Sequence, residues 1–380
     1  MKKNQLVTLG KHIDILSGCA FPSSGFNRNN GVPLIRIRDI LSGKTETYYE
    51  GSYDLKYLIK KGDLLVGMDG DFNREYWKGT DALLNQRVCK ITPNPETLDK
   101  NFLYHFLQKE LDKIHATTDV VTVKHLSVKK IQDIKIRLPS LKEQKRIAAI
   151  LDKADAIRQK REQAIKLADD FLRAKFLEMF GTPANNIHRF PKGTIRDLVD
   201  SVNYGTSAKV SIDSGEYPIL RMGNITYQGR WDFTDLKYLD LSVKEKDKYL
   251  VKEGDLLFNR TNSKELVGKT AVYEEDRPMA FAGYLIRVRP NSIGNNYYIS
   301  GYLNSIHGKI TLMNMCKSIV GMANINAQEL QNIEILIPPK HLQDEYEIIY
   351  KKIKKGLSIY DKSAMQLQLL ASNLSNKYFM

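Results

Sequence analysis

The stretch Gly62-Asp63-Leu64-Leu65 decides how this chain folds, because it occurs a second time as Gly254-Asp255-Leu256-Leu257. Another pair of segments repeats in the same order: Ile131-Gln132-Asp133-Ile134 returns as Leu330-Gln331-Asn332-Ile333. The first repeat is offset by 192 positions (254 − 62) and the second by 199 (330 − 131), so small insertions separate the copies. Solenoid repeats are only tens of residues long. The spacing therefore predicts two similar whole domains.

A long charged helix follows each copy. Pro139 lies just before the first helix, and Gln144 lies in its first turn. They return as Pro338 and Gln343 at the second helix, again 199 positions later (338 − 139, 343 − 144). From position 141 to about 180 no Gly or Pro interrupts the pattern, and Gly181 then stops it. At about 1.5 Å per residue, roughly 38 residues form a rod of about 57 Å.

Heptad spacing marks one face of each long helix. The predicted a and d positions of the first helix are Ile147, Ile150, Ala154, Ile157, Arg161, Ala164, Ala168 and Phe171, widened by Leu151, Ile165 and Leu172. The apolar stripe of the second helix contains Tyr346, Ile349, Ile353, Leu357, Tyr360, Leu367, Leu370 and Leu374. Two helices of equal length with one apolar face each favour an antiparallel coiled coil; alternatively, each helix flanks only its own domain's core.

The predicted fold class is α+β: two similar mixed α/β domains joined by two long antiparallel coiled-coil helices, with a pseudo-twofold internal repeat. The predicted parts are residues 1–139 (first domain), 140–180 (first spacer helix), 181–193 (linker), 194–339 (second domain) and 340–380 (second spacer helix). Within the first domain, the pattern predicts strands over 33–37, 63–66 and 134–138 and a helix over 101–114.

Composition narrows the class of partner. The 380 residues include 42% hydrophobic residues, enough for packed cores, and carry a formal net charge of +14. A basic balance favours nucleic acid first and an anionic membrane second. No apolar run approaches the roughly 20 residues of a spanning helix, and the N-terminal residues are too polar for a signal peptide. Three scattered cysteines fit a reducing compartment. We therefore expect a cytoplasmic protein without a membrane partner.

Sequence signatures of catalysis are missing. The chain has no Gly-x-Gly-x-x-Gly, no phosphate-binding Gly-rich loop and no Asn-Pro-Pro-aromatic turn. Its seven histidines form no metal-ligand pair. Asp133 with Glu143 and Lys145 is a weak nuclease-like set, because Glu143 is better explained as a carboxylate that favours a helix N-terminus. The sequence predicts a non-catalytic binding protein with no catalytic residue, no metal and no cofactor of its own.

Segments at and beyond strand ends combine base-reading side chains with glycines. Arg can pair with guanine in bidentate fashion, Asn and Gln with adenine, and Lys holds phosphate. Some of these residues have simpler explanations: Arg36 and Arg221 as solvated strand charges, and Asn259 as a turn former. The predicted DNA-binding residues are Arg36, Arg38, Arg74, Asn85, Gln86, Arg87, Arg221, Asn224, Asn259, Arg260, Thr261, Asn262, Lys264 and Lys269.

The chain resembles the specificity subunit of type I restriction-modification systems over almost its whole length. The resemblance is carried by residues 254–271, which begin Gly-Asp-Leu-Leu-Phe-Asn-Arg-Thr-Asn-Ser, and by 67–72 followed by Trp77 and 84–88. The junction 138–147, Leu-Pro-Ser-Leu-Lys-Glu-Gln-Lys-Arg-Ile, is similar to the family's entry into its spacer helix. Residues 337–343 are a looser copy.

This resemblance implies more than periodicity does. It implies two target-recognition domains that each read one half of a split, asymmetric site on double-stranded DNA, and paired helices that fix the gap. It also implies two methyltransferase subunits docked on those helices and separate restriction subunits that act as motor and nuclease. S-adenosylmethionine, ATP and Mg would be used by those partners. A stand-alone two-domain DNA-binding regulator and a coiled-coil scaffold remain alternatives.

Overall fold

A computed structural model describes residues 6–118, 123–319 and 322–379. The chain separates into two compact units: Met1–Lys160 with Lys362–Met380, and Arg161–Asp361. We call them unit 1 and unit 2. The outer ends of the predicted first domain and second spacer helix, positions 1 and 380, lie outside the described residues. Both units mix helices with sheets, as the sequence predicts.

The elements up to the end of the first long helix belong to unit 1, except that the helix itself continues into unit 2. In chain order they are β1 (Leu6–Thr8), β2 (Ile13–Ser17), β3 (Phe26–Asn27), β4 (Val32–Ile35), β5 (Tyr48–Tyr49), β6 (Leu58–Ile59), β7 (Leu64–Gly67), β8 (Arg74–Tyr76), β9 (Ala82–Leu84), β10 (Val88–Pro93), α1 (Lys100–Thr117), α2 (Val128–Gln132), β11 (Lys135–Arg137) and α3 (Leu141–Phe180).

The later elements belong to unit 2, except that the last helix ends in unit 1. They are β12 (Lys192–Thr194), β13 (Val199–Tyr204), β14 (Tyr217–Leu220), β15 (Lys237–Leu239), α4 (Val243–Tyr249), β16 (Leu256–Asn259), β17 (Thr261–Asn262), β18 (Thr270–Val272), β19 (Ala280–Phe281), β20 (Leu285–Pro290), α5 (Asn296–Asn304), α6 (Ile306–Met315), β21 (Lys317–Ile319), β22 (Met322–Asn324), α7 (Ala327–Gln331), β23 (Glu334–Leu336) and α8 (Lys340–Phe379).

Sheet topology is duplicated between the units. The order β2-β10-β7-β8 in unit 1 returns as β13-β20-β16-β18 in unit 2, and all of these pairs are antiparallel. The parallel pair β4-β9 returns as β14-β19, and the terminal pair β1-β11 returns as β12-β23. The internal repeat predicted from sequence is thus confirmed in these strands, whereas the sheet around the parallel pair has the order β3-β5-β4-β9-β6 in unit 1 and β15-β14-β19 in unit 2.

The glycine and aspartate of the repeated Gly-Asp-Leu-Leu motif build the same turn twice. Gly62 and Gly254 have φ values of 90° and 87°, which favour glycine. The Asp63 and Asp255 carboxylates accept hydrogen bonds from backbone N–H groups three residues earlier, at 2.8 and 2.9 Å. The motif therefore fixes the chain direction just before each central strand begins.

The two leucines of the motif supply two cores at once. Successive strand residues face opposite sides of a sheet. Leu64 packs with the helix-covered core of unit 1, whereas Leu65 packs in a second cluster with Trp77. In unit 2, Leu256 and Leu257 divide between two clusters in the same way. The alternation explains why both leucines recur.

Both long helices are confirmed, over Leu141–Phe180 and Lys340–Phe379. Each unit takes part of both helices into its own core. Ile147 of α3 and Ala371 of α8 pack in the core of unit 1. In unit 2, Phe176 lies 5.4 Å from Tyr346 and 5.6 Å from Tyr298, measured between ring centroids. The end of α3 therefore meets the start of α8. Farther along both helices, Asp169 and Leu172 of α3 line one cavity with Ile353 and Leu357 of α8, so the two helices run antiparallel within unit 2.

The predicted seam of α3 is partly wrong. Ile157 and Phe171 are 37% and 49% exposed, although both were placed at d positions. Leu151 is buried and Leu172 is half-buried instead. A straight α-helix drifts about 20° per heptad from a strict seven-residue repeat, which moves the covered stripe toward e positions. The side chain of Tyr360 in the second stripe lies outside the described residues.

One predicted strand end is also wrong. The strand predicted over 33–37 ends at Ile35, and Ile37–Asp39 forms a 3-10 turn. The Asp39 side chain caps this turn, so a side-chain cap overrides the local pattern. Long-range pairing adds two short strands: β17 pairs with β22, and β12 begins at Lys192, two residues before the predicted start of the second domain.

Two buried glutamines join each domain to its long helix. The Gln144 side-chain amide donates to the carbonyls of Thr97 and Pro139, at 3.0 and 2.9 Å. Gln343, in the equivalent position, donates to the carbonyls of Ile293 and Pro338, at 2.9 and 2.8 Å. Both glutamines are at most 1% exposed. Their recurrence in the sequence therefore has a structural cause.

We predict that Gln343→Ala lowers the free energy of unfolding by about 1–3 kcal/mol, because it leaves two carbonyls without their buried donor. Urea denaturation measures the change. Exposed Gln328 in α7 provides the control, and Gln328→Ala should change stability by no more than about 0.5 kcal/mol. Equal effects of the two substitutions would contradict the assigned role.

Candidate nucleic-acid interface

A cleft of about 790 Å³ in unit 2 gathers four of the predicted DNA-binding residues. Arg221 comes from the turn after β14, whereas Arg260, Asn262 and Lys269 come from the segment after β16. About forty residues separate these two segments in sequence. They follow strands of two different sheets, and the fold brings them to one surface. The arrangement could hold an anionic or base-bearing ligand.

Asn224 shapes the first of these segments. Its side-chain oxygen accepts a hydrogen bond from the Arg221 N–H at 2.8 Å, and its amide donates to the carbonyls of Asp232 and Asp235, at 2.8 and 3.1 Å. Asn224 is 2% exposed. The side chain therefore supports the turn and is not presented to solvent.

The Arg221 guanidinium is already paired. Its Nη2 lies 2.7 Å from a carboxylate oxygen of Asp235, whose side chain is 81% exposed. The Arg221 side chain itself is 28% exposed, so the pair is open to solvent mainly on the Asp235 side. A phosphate or a guanine edge that binds this nitrogen replaces Asp235.

Asn259 and Lys269 hold the second segment in place. Asn259 is fully buried, and its backbone exchanges hydrogen bonds with the loop, donating to Lys269 at 2.9 Å and accepting from Gly268 at 2.8 Å. The Lys269 ammonium donates to the Met222 carbonyl at 2.8 Å, which ties the two segments together. Burial lowers the pKa of Lys269.

Arg260 lies in the cleft between aromatic and amide partners. Its guanidinium carbon is 4.8 Å from the centroid of the Tyr204 ring, and its Nη2 donates to Asn324 at 3.3 Å. Within the described residues its Nε is buried and has no hydrogen-bond partner. Thr261 pairs with Asn324 across β17 and β22. The Arg260 side chain as a whole is half-buried and lines the cleft.

Lys264 is exposed and does not lie with the four residues of the first cleft. It lines a second cleft of unit 2, of about 490 Å³. Arg173 and Lys309 line the same cleft. Burial, together with nearby Arg173 and Lys269, lowers the pKa of Lys309 to about 8. The lining of this cleft thus combines the cations Lys264 and Arg173 with the carboxylate of Glu265.

In unit 1, the turn after β4 repeats the Asn224 arrangement with a carboxylate. Asp39 accepts a hydrogen bond from the Arg36 N–H at 2.8 Å. The Arg36 guanidinium lies 5.6 Å from the Phe26 ring centroid, and Arg38 is exposed. Arg36 therefore occupies the place that Arg221 occupies in unit 2, directly after the parallel strand.

The other candidates of unit 1 lie in two different environments. Arg74 lies 3.3 Å from the centroid of the Tyr104 ring, and burial lowers its pKa. Asn85 is half-buried and accepts from the N–H of Gln86 at 2.8 Å. Gln86 and Arg87 are exposed, and the Arg87 Nε lies 3.4 Å from Asp69. The structure thus places Arg74 against α1, and Arg87 beside the loop that follows β7.

Sequence reasoning missed three residues at or beside the cleft in unit 2. Tyr284 lines the cleft, whereas the Tyr204 ring and the Asn324 side chain contact Arg260. Tyr204 and Tyr284 are 41% and 55% exposed. An unexplained tyrosine at the end of a strand is a signal that could have found Tyr204. Asn324 lies 64 residues from Arg260, and local patterns do not predict such pairings.

A metal centre and a membrane-spanning helix are two other features that bear on function. Within residues 6–118, 123–319 and 322–379, no group of three His, Cys, Asp or Glu side chains is placed to hold a metal ion. None of the helices that the structure describes combines the length and apolarity needed to cross a bilayer.

Comparisons with known proteins agree with the duplicated fold. The model of the family described as "Type I restriction modification DNA specificity domain" matches residues 1–167 and again 190–371. The EcoBI type I restriction enzyme specificity subunit of Escherichia coli is 30% identical, over 97% of this chain and 82% of that protein. The EcoKI specificity subunit of E. coli K12 is 23% identical, over 92% and 80%. The crystal structure of a type I S subunit from M. genitalium matches with a TM-score of 0.64 at 15% identity, over 97% and 94%.

Proposed function

The chain belongs to the type I restriction-modification DNA specificity family, and on that premise we propose that it is the DNA-recognition subunit of such a system. In this proposal unit 1 and unit 2 each read one half of a split, asymmetric site on double-stranded DNA. The chain itself carries out no reaction. Its predicted lack of catalytic residues and cofactors fits a subunit that positions DNA for others.

The observation that carries the proposal is the cleft of unit 2. Two segments contribute its side chains Arg221, Arg260, Asn262 and Lys269, and these segments follow strands of two different sheets. These are residue types that read base edges and neutralise phosphate. The family model's second match, over residues 190–371, includes the whole of this cleft. A net charge of +14 adds long-range attraction for a polyanion.

The predicted residues divide by their surroundings. We propose that the exposed or half-exposed side chains contact DNA directly: Arg36, Arg38, Asn85, Gln86, Arg87, Arg221, Arg260, Asn262 and Lys264. The buried or engaged residues Asn224, Asn259, Thr261, Lys269 and Arg74 would hold these side chains in place. Support for this division comes from burial and from the hydrogen bonds that the second group already makes.

The partners follow from the family and from the long helices. We propose that two methyltransferase subunits, using S-adenosylmethionine, dock on α3 and α8, and that restriction subunits using ATP and Mg join them. Leu167 and Phe171 of α3 are 60% and 49% exposed, and Ile348 of α8 is 53% exposed. Apolar side chains grouped on a helix surface are typical of protein interfaces. Such a complex would act on DNA in the cytoplasm.

Two competing functions make different predictions. A stand-alone DNA-binding regulator would bind its site tightly without methyltransferase partners. A coiled-coil scaffold would bind those partners and show no sequence preference.

We predict that Arg87→Ala relaxes one half of the methylated motif and Arg260→Ala relaxes the other half. Losing a guanidinium that contacts a base costs about 1–3 kcal/mol of discrimination. The measurement is genome-wide mapping of N6-methyladenine after co-expression with the methyltransferase. Exposed Arg277 provides a control, whose replacement by Ala should leave both halves intact. A wild-type complex that forms but methylates no split motif would contradict the proposal.

A second prediction concerns docking on α3. The double substitution Leu167→Glu with Phe171→Glu places two charges on an apolar surface, so the chain should no longer co-purify with the methyltransferase. Replacing the solvated Lys166 by Glu in the same helix should have little effect. If the double variant co-purifies as the wild type does, α3 does not provide the docking surface proposed here.

A further inference from the structure

Arg87 belongs to a cluster with two residues that the proposed function leaves unused. The Asp69 carboxylate lies 2.6 Å from His125 Nδ1 through one oxygen and 3.4 Å from Arg87 Nε through the other. These three residues come from the loop after β7, the turn before β10 and the segment before α2. One carboxylate therefore organises two nitrogen-bearing side chains from distant parts of the sequence.

The backbone holds the three segments together. The Met68 N–H donates to the Arg87 carbonyl at 2.9 Å, and the Met68 carbonyl accepts from the Leu126 N–H at 2.7 Å. The Gly70 N–H donates to the Lys124 carbonyl at 3.1 Å. These backbone hydrogen bonds thus fix the positions of the three segments that carry Asp69, Arg87 and His125.

The loop after β7 is also anchored by a buried aromatic side chain. Phe72 is fully buried with a φ of 51°, and its ring packs edge-on against His115, at 5.3 Å between centroids. A positive φ at a residue other than glycine costs free energy, and such positions concentrate at functional sites. The buried ring holds Asp69 in position before any ligand arrives.

Exposure argues against a purely structural role for the cluster. The His125 and Arg87 side chains are 56% and 55% exposed, whereas Asp69 is 23% exposed. Exposed ion pairs contribute little stability. The less exposed Asp69 carboxylate instead positions two solvent-facing side chains, His125 and Arg87. The negative charge of Asp69 is balanced by the positive charge of Arg87, so the cluster does not repel a polyanion.

The chemistry of the cluster suits base edges. An ionised carboxylate only accepts hydrogen bonds, so His125 carries its proton on Nδ1. Among the described residues no hydrogen-bond partner contacts its Nε2, which stays available to a ligand. Asp69 engages Arg87 through Nε, and the two terminal nitrogens remain as the fork that matches guanine O6 and N7.

Unit 2 has a contact at the same structural position. Asn324 follows His125 by 199 positions (324 − 125), the offset of the repeated segments. The Asn324 side chain accepts a hydrogen bond from Arg260 at 3.3 Å and donates one to Thr261 at 3.2 Å. The backbone pairing is also the same: the Ile325 N–H donates to the Arg260 carbonyl, just as the Leu126 N–H donates to the Met68 carbonyl. Both units therefore use this segment to contact an arginine or its supporting residue.

We propose that His125 is a base-reading residue of the first half-site and that Asp69 is a positioning residue for His125 and Arg87. Arg87 binds a guanine, and His125 contacts a base beside it. This inference rests on the proposed function and adds residues that determine its specificity. The histidine in unit 1 and the asparagine in unit 2 give the two units different recognition surfaces.

The test uses the complex of the full chain with its methyltransferase. N6-methyladenine maps and binding to a duplex that carries the mapped motif are compared for wild type, His125→Ala, His125→Asn and Asp69→Asn. We expect the His125 variants to tolerate other bases at one position of the first half-site and to raise Kd about tenfold or more, in line with the discrimination carried by a base contact. Asp69→Asn should weaken the same half-site, and the second half-site should stay unchanged in all variants.

Exposed His341 at the start of α8 provides the matched control, and His341→Ala should reproduce the wild-type map. Equal thermal unfolding of the variants establishes that they fold. A His125→Ala complex with the wild-type motif and Kd would overturn the inference while leaving the proposed function intact. A wild-type complex that methylates no split motif would instead overturn the proposed function and, with it, the premise of this inference.

Discussion

The division of two long helices between two compact units is the constraint on which the rest of the structure depends. Unit 1 completes its core with Ile147 of α3 and Ala371 of α8, and unit 2 completes its core with Phe176 and Tyr346. Burying an aromatic side chain removes about 150–250 Å² from water, so Phe176 and Tyr346 contribute a large part of the core of unit 2. Neither unit has a complete core without segments that lie far apart in the sequence.

The same constraint explains why the repeated motifs recur. The buried glutamines Gln144 and Gln343 join each domain to the start of its helix through backbone carbonyls. The Gly-Asp-Leu-Leu motif then starts a central strand whose two leucines enter two cores. Such a rigid strand delivers its following residues, which include Asp69 and Arg260, to a defined place. Rigid scaffolds that carry variable loops are the usual basis of specific recognition.

Much of this architecture follows from the sequence, because helix periodicity and a duplicated motif are local signals. The exact helix seam does not, since Phe171 is exposed where a strict heptad would bury it. The recognition surface is harder still to predict. Asn224 and Lys269 look like ligand contacts in the sequence, yet both already bond to backbone carbonyls. His125 and Asn324 look unremarkable there, because only long-range strand pairing brings them beside Asp69 and Arg260.

The most direct test of the account is to lengthen both helices by one heptad, at the unit boundaries Lys160 of α3 and Asp361 of α8, and map N6-methyladenine again. Seven residues add about 10 Å at roughly 1.5 Å each and preserve the apolar face. DNA rises about 3.4 Å per base pair, so the account predicts a gap longer by about three base pairs between two unchanged half-sites. An active complex with the original gap would contradict the claim that these helices set the spacing between two reading units.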